Sequence, residues 1–313
     1  MQYQKMIKII ALGISFILSS LSVTVACADT NFVPYNATSI KMESSNFIEE
    51  IKSIKNPERF RSVCDDQKKA DYCFTYAAYQ DLVLEDYQLA YEYHIKAFNL
   101  GEKESGVLIG HYQINYPEQF TDSNSLTIDE SIYYLEQAFK AEYPDATRLL
   151  MMIYRDPEFN RIDYDKAEYY NKIAIRQNVK TSRFLLASLY THKMKDKSKI
   201  DESIKLYKED LLVEKNWLSS LGLMAIYSYP EEYGAKLNYV KSLAYAYITR
   251  DLRKKLVDDL ANNKIANVEE DVIKLLSQEL TPEQLKQAKA LYLELMSKMG
   301  KERMNFDNAL PKD

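Results

Sequence analysis

The chain has 313 residues, with 41 Lys and Arg against 46 Asp and Glu, a net charge of −5 and 46% hydrophobic residues. An acidic chain with no long run of either sign is poorly matched to a phosphate backbone, which excludes nucleic acid as a partner. The only histidines, His94, His111 and His192, stand apart from one another, which leaves no metal-ligand spacing, and no cofactor fingerprint occurs.

Residues 1–28 read as a signal peptide. Lys5 and Lys8 precede an almost wholly apolar stretch from Ile9 to Ala26, and small residues lead to the first acid, Asp29. The stretch is long enough to span a bilayer, but no basic stop follows it and no second apolar run of that length exists. The expectation is export across a bacterial inner membrane to the periplasm. Two processing routes fit. Ala26-Cys27-Ala28 is an A-x-A cleavage site that releases a soluble chain beginning at Asp29. Thr24-Val25-Ala26-Cys27 resembles a lipobox, in which Cys27 becomes lipidated and anchors the chain to the envelope; only then is a membrane a partner. Cleavage removes two lysines and no acid, taking the net charge from −5 to −7.

Residues 29–45 are polar and irregular and are expected to form a flexible tether. Helical periodicity begins near Phe47, and Asn56-Pro57-Glu58 starts a second helix that ends near Cys64. A third begins near Lys69 or Ala70. Helix pairs then follow at 70–82 and 87–100, closed by Gly101, at 104–116 and 128–142, at 145–155 and 164–177, at 181–194 and 200–213, and at 217–229 and 237–253. Pro117, Pro144, Pro157 and Pro230 fall at junctions. Residues 268–278 form one further helix. Thr281-Pro282-Glu283-Gln284 caps a last one with Leu285, Ala288, Leu291, Leu295 and Met299 on one stripe. The expected organisation is a repeat solenoid over 46–255, capping helices over 256–300 and a frayed tail over 301–313.

Two registers run through the pairs. Tyr79, Tyr112, Tyr154, Tyr190 and Tyr227 recur at spacings of 33, 42, 36 and 37, each ending an apolar helical stretch. Ala90, Ser131, Ala167, Ser203 and Ser242 recur at 41, 36, 36 and 39. Matching periods mean one helical hairpin stacked several times. The small residues let paired backbones approach, and the tyrosines at the repeat period belong to the core rather than to a stacking or sugar site.

Cysteine arithmetic bears on the N-terminal part. With Cys27 cleaved off or lipidated, Cys64 and Cys73 remain, an even count that favours a disulfide in an oxidising compartment. Free core thiols or half of a metal site are the rival readings.

Leu186-Ala187-Ser188-Leu189-Tyr190, Asp163-Tyr164-Asp165-Lys166-Ala167-Glu168-Tyr169-Tyr170 and Asp86-Tyr87-Gln88-Leu89-Ala90 resemble the unit of the Sel1-like repeat family, a relative of the tetratricopeptide repeat. The resemblance covers about residues 70–250 and implies an all-α, right-handed α-solenoid of about five helix pairs with a helical C-terminal cap. The turn glycines usual in the family are mostly missing. Cysteine-rich members tie the end of one repeat to the start of the next, the relation in which Cys64 and Cys73 stand.

No catalytic constellation emerges. G-x-S-x-G, H-E-x-x-H, C-x-x-C and a phosphate-binding glycine loop are all absent, and no serine is followed three residues later by lysine after residue 28. Glu49-Glu50, Glu231-Glu232 and Glu269-Glu270 read as solvated helix faces. The chain therefore reads as a non-enzymatic protein-binding module without cofactor. Its candidate contact residues lie beside the repeat tyrosines on the first helix of each pair: Gln80, His111, Gln113, Arg148, Arg155, Arg183 and His192, the arginines suited to an acidic partner. The resemblance implies as partner a secreted effector or an envelope component. Exported members act as adaptors, assembly factors or immunity proteins against type VI secretion phospholipase effectors, and some cysteine-rich relatives are linked to β-lactam binding or hydrolysis.

Overall fold

A computed structural model describes residues 45–116, 127–257 and 268–299. The signal segment, Cys27, the tether up to residue 44 and the tail from residue 300 lie outside the described residues. Among those described, fifteen α-helices and no strand occur, and no helix is long and apolar enough to cross a membrane. Contacts divide the chain into two compact units with a boundary between Val179 and Lys180, inside the span expected to form one solenoid.

The unit ending at Val179 holds α1 (Ser45–Lys52), α2 (Glu58–Gln67), α3 (Ala70–Tyr79), α4 (Tyr87–Asn99), α5 (Ser105–Asn115), α6 (Ile128–Lys140), α7 (Pro144–Arg155) and α8 (Tyr164–Arg176). Three hairpins, α3–α4, α5–α6 and α7–α8, stack in order behind the N-terminal pair. Helix α2 runs three residues past Cys64, so the Cys64–Cys73 disulfide joins the last turns of α2 to the first turn of α3.

The unit from Lys180 holds α9 (Ser182–Ser188), α10 (Ile200–Glu214), α11 (Trp217–Ser228), the single turn α12 (Pro230–Tyr233), α13 (Tyr239–Val257), α14 (Val268–Glu279) and α15 (Pro282–Lys298). Both α14 and α15 pack on α13 and cover its outer side. Helix α14 is fixed there by Arg253, whose Nη1 donates to both carboxylate oxygens of Glu269 at 2.9 and 3.0 Å. Glu269, expected on a solvated face, is thus 3% exposed, because it meets the guanidinium inside the packing of α13 on α14.

The repeat motif has a local cause. In each well-formed hairpin an Asp or Asn ends the turn and caps the second helix. Asp86, Asp163 and Asn238 accept from the backbone N–H of Leu89, Lys166 and Lys241, each at 3.0 Å. Their own N–H groups donate back to the end of the first helix, to Gln80, Tyr154 and Tyr227 at 2.9, 2.8 and 3.1 Å. One residue thereby closes both helix ends. Capping boxes open α6 (Thr127 with Glu130) and α15 (Thr281 with Gln284).

Ala90, Ser131, Ala167, Ser203 and Ser242 are all fully enclosed at the hairpin crossings. Of the repeat tyrosines, Tyr112, Tyr154, Tyr190 and Tyr227 are buried, and Tyr79 is partly so. Tyr154 stacks on Tyr170 and Tyr227 on Tyr245, both with ring centroids 5.9 Å apart. Lys166, Lys199 and Lys241 lie over Tyr154, Tyr190 and Tyr227 at 4.6, 4.9 and 4.9 Å, so their stems roof the aromatic column while their charges stay at its edge.

Candidate functional site

The first helices of the hairpins place the candidate residues, and burial sorts them. Arg155 is 1% exposed and belongs to the largest fully enclosed side chains. His192, 9% exposed, meets the Tyr233 ring edge-on at 5.7 Å. Gln80 is 3% exposed and starts a π-helical turn, Gln80–Leu84, that extends α3. These three are buried in the packing and cannot meet a partner directly.

Arg148 and Arg183 are each turned to an acid of their own unit. Arg148 Nε lies 3.4 Å from Asp145 Oδ1 one turn earlier, and Arg183 Nε lies 3.8 Å from Glu209 Oε2 on α10. Their side chains are 18% and 11% exposed, so most of the charge expected to meet an acidic partner is neutralised internally.

His111 on α5 and Arg148 on α7 come together in consecutive hairpins. Burial, and then the neighbouring Arg148 charge, hold the imidazole down at about 4, so it is neutral at pH 7. Two residues on, Gln113 keeps its Oε1 buried with no hydrogen-bond partner among the described residues. Beside this cluster Tyr112 donates from its hydroxyl to Asp81; burial raises that carboxyl above the usual range although the phenol pulls it down. The assembly is polar and suited to fixing one hairpin against the next. Among the described residues no three His, Cys, Asp or Glu side chains gather as metal ligands would.

A different surface stands out at the turn between α7 and α8. Tyr154, Asn160, Arg161, Ile162, Asp163 and Lys166 line an open depression of about 500 Å³. Arg161 forms its floor by a bidentate pair with Asp129 of α6, both contacts at 2.7 Å. Ile162 beside it is 50% exposed, and in the corresponding turn after α3 Leu84 is 56% exposed. The sequence offered a signal for this edge: an apolar residue placed one or two positions before the capping aspartate, where a turn is normally polar.

No protein-family model matches the sequence, and no curated protein matches it. The fold is similar to the crystal structure of a protective antigen present in uropathogenic Escherichia coli strains displaying an SLR fold. That match has a TM-score of 0.57 and 14% identity, over 87% of this chain and 58% of that one. The chain thus spans less than two thirds of that antigen's length. A Sel1 repeat protein from Oxalobacter formigenes aligns at 13% identity over 80% of this chain and 99% of its own, with a TM-score of 0.45.

Proposed function

For a chain with the all-α solenoid fold of Sel1-like repeats, we propose a non-catalytic role: a protein-binding module of the bacterial envelope. The observation that carries the reading is the turn edge of the first unit. There Leu84 and Ile162 stand half-exposed in corresponding turns, and Ile162 and Arg161 both line the open depression. The core tyrosines and most of the candidate arginines are engaged within the stack, while this edge keeps apolar surface exposed beside a depression. The partner proposed is a secreted effector or an envelope component. Its narrower form, neutralisation of a phospholipase effector delivered by type VI secretion, is supported by the chain's resemblance to exported Sel1-like proteins.

The test is an affinity pull-down of the oxidised protein from its own envelope and secreted fractions, repeated with Ile162→Glu. One stoichiometric partner that the variant loses, with melting unchanged, supports the reading. A partner retained in full by Ile162→Glu removes this edge from it. Charge reversal at Arg148 and Arg183 should leave binding within about threefold, since both side chains are paired internally. For the immunity form, cells lacking the protein should become sensitive to a sibling's effector. Turnover of a chromogenic β-lactam by the pure protein would overturn the non-catalytic reading.

A further inference from the structure

Around α10 several cations are matched with acids. Lys199 Nζ lies 3.6 Å from Glu202 Oε2, and Lys205 Nζ lies 3.8 Å from Glu209, which Arg183 also approaches at 3.8 Å. Two lysines nearby are not matched. Lys208 is partly buried on α10 and Lys241 is partly buried in the first turn of α13, and neither forms an ion pair among the described residues.

Both are brought against the same helix. Tyr207, next to Lys208, packs so closely on Gly222 of α11 that a Cβ there would lie 2.8 Å from its ring. Five residues further along α11, about 7.5 Å on its axis, Tyr227 stacks on Tyr245 of α13 and carries the Lys241 ammonium 4.9 Å from its ring centroid. The charge of Lys241 reaches Lys208. Burial first, and then Lys241, hold Lys208 below the usual lysine range, and no carboxylate among the described residues offsets them. Glu209, beside Lys208 in sequence, is engaged with Lys205 and Arg183. Asp201 acts on Tyr227 but forms no ion pair with either lysine.

Such an arrangement is unfavourable when empty. A partly desolvated ammonium is repelled by a second one, and Lys241 stands in the first turn of its helix, where the dipole opposes a cation. Positive contributions from two helices thus converge with no acid paired to either lysine, and an anion placed there would relieve them together.

We infer that Lys208 and Lys241 hold a phosphate group, free or as a monoester, between α10 and α13 beside the Tyr227–Tyr245 stack. Two ammonium groups suit a compact dianion better than a carboxylate, which would neutralise only one of them. Their partial burial suits a small group better than a partner's surface. The site lies in the unit from Lys180 and the protein-binding edge in the other, so either reading can fail without the other.

The experiment titrates the oxidised protein, as its cell processes it, with inorganic phosphate and with glycerol phosphate at about pH 8, where both are dianions. Chloride at matched ionic strength is the control, and binding is followed by phosphorus NMR. The expected result is saturable binding of one phosphate per chain, with the Lys208 side-chain titration moving upward as the site fills; the tighter of the two probes names the source. Lys208→Met and Lys241→Met, which keep the aliphatic stem, should each weaken binding about tenfold. In chloride Lys208→Met should melt no lower than the parent, because it removes a charge that has no counter-ion. Phosphate should raise the melting midpoint of the parent more than that of either variant, which separates the site from the general stabilisation that phosphate gives any protein. Binding of neither probe, equal binding by the variants, or a Lys208→Met protein that melts lower in chloride overturns the proposal. Binding of a polyglutamate peptide without phosphate binding overturns it in favour of an acidic polypeptide.

Discussion

At the scale of single residues, two histidines on neighbouring helices, His94 enclosed and His111 partly so, contribute to the response to acid. His94 is 0% exposed on α4, with its Nδ1 3.3 Å from the Ser105 hydroxyl and its ring edge-on to Phe74. Burial lowers it to about 3, and His111 is lowered to about 4. Both folded values lie below the unfolded one near 6.5, so the unfolded chain binds more protons; stability is complete above that pH and is lost as pH falls. Asp210 acts in the opposite sense. Burial raises it to about 6, against the pull of the Ser219 hydroxyl that donates to it at 2.6 Å. The folded state therefore gains a proton, and stability, as pH falls from above 6 towards 4. Burial raises Asp81 and Glu209 in the same sense as Asp210, so the carboxyls offset part of the loss, to which each histidine contributes about 1.4 kcal/mol per pH unit between pH 6 and 4. His94→Leu places at this position the residue that the next hairpin carries there, Leu135. Denaturant melts at stepped pH should show its acid slope lower by about 1.4 kcal/mol per pH unit over that window, while a slope equal to the parent's would mean that His94 is not the group responsible.

At the scale of helices and turns, glycine closes only two turns, at Gly101 and Gly234, and elsewhere serves close packing between helices. Gly110 and Gly222 sit where a Cβ would lie 2.5 Å from Leu135 Cδ2 and 2.8 Å from the Tyr207 ring. Gly222→Ala should thus cost about 1–3 kcal/mol, read as a lower melting midpoint with unchanged helicity. The helix ends instead use Lys68, Glu142, Asn178 and Lys215 at φ of 55 to 64°, with Glu85, Asn160, Thr181 and Lys195 in the same region. Lys215 closes α10, is exposed, and donates its N–H to Leu211 at 3.1 Å. Relief of its left-handed strain outweighs the added freedom of the unfolded chain, so Lys215→Gly should raise stability by about 0.5 kcal/mol, while Lys215→Ala should not. The scarcity of glycine made these turns hard to read from sequence, since the left-handed positions are held by residues with no such signature. The helices themselves were legible because Asp86, Asp163 and Asn238 mark both the stop of one and the start of the next. The π-helical turns Gln80–Leu84 and Leu189–Lys193 were not legible, because they continue the same apolar pattern with one more residue per hydrogen-bonded ring.

At the scale of the whole molecule, the division at Val179 separates what the disulfide protects from what it does not. The repeat period made the stack visible in the sequence, because each hairpin repeats one local solution. Periodicity says which positions flank the core tyrosine, but not which of them the packing encloses, as it does Arg155. The bridge from Cys64 to Cys73 closes a loop of sequence separation 9 at the start of the first unit, where α2 is otherwise held by packing on α3 and by Asp65, which accepts from Tyr93 and Lys96 of α4 at 2.8 Å. In the chain-entropy model such a loop contributes about 2.5–3 kcal/mol, and that contribution belongs to the cooperative block containing it. Cys64→Ser/Cys73→Ser should therefore raise amide hydrogen exchange across α2, α3 and α4 by roughly a hundredfold, while α10, α11 and α13 exchange as in the parent protein. Equal acceleration in both sets would show that the two units unfold as one, and exchange unchanged in α2 to α4 would show that packing of Phe74 and Tyr76 holds that end without the bridge.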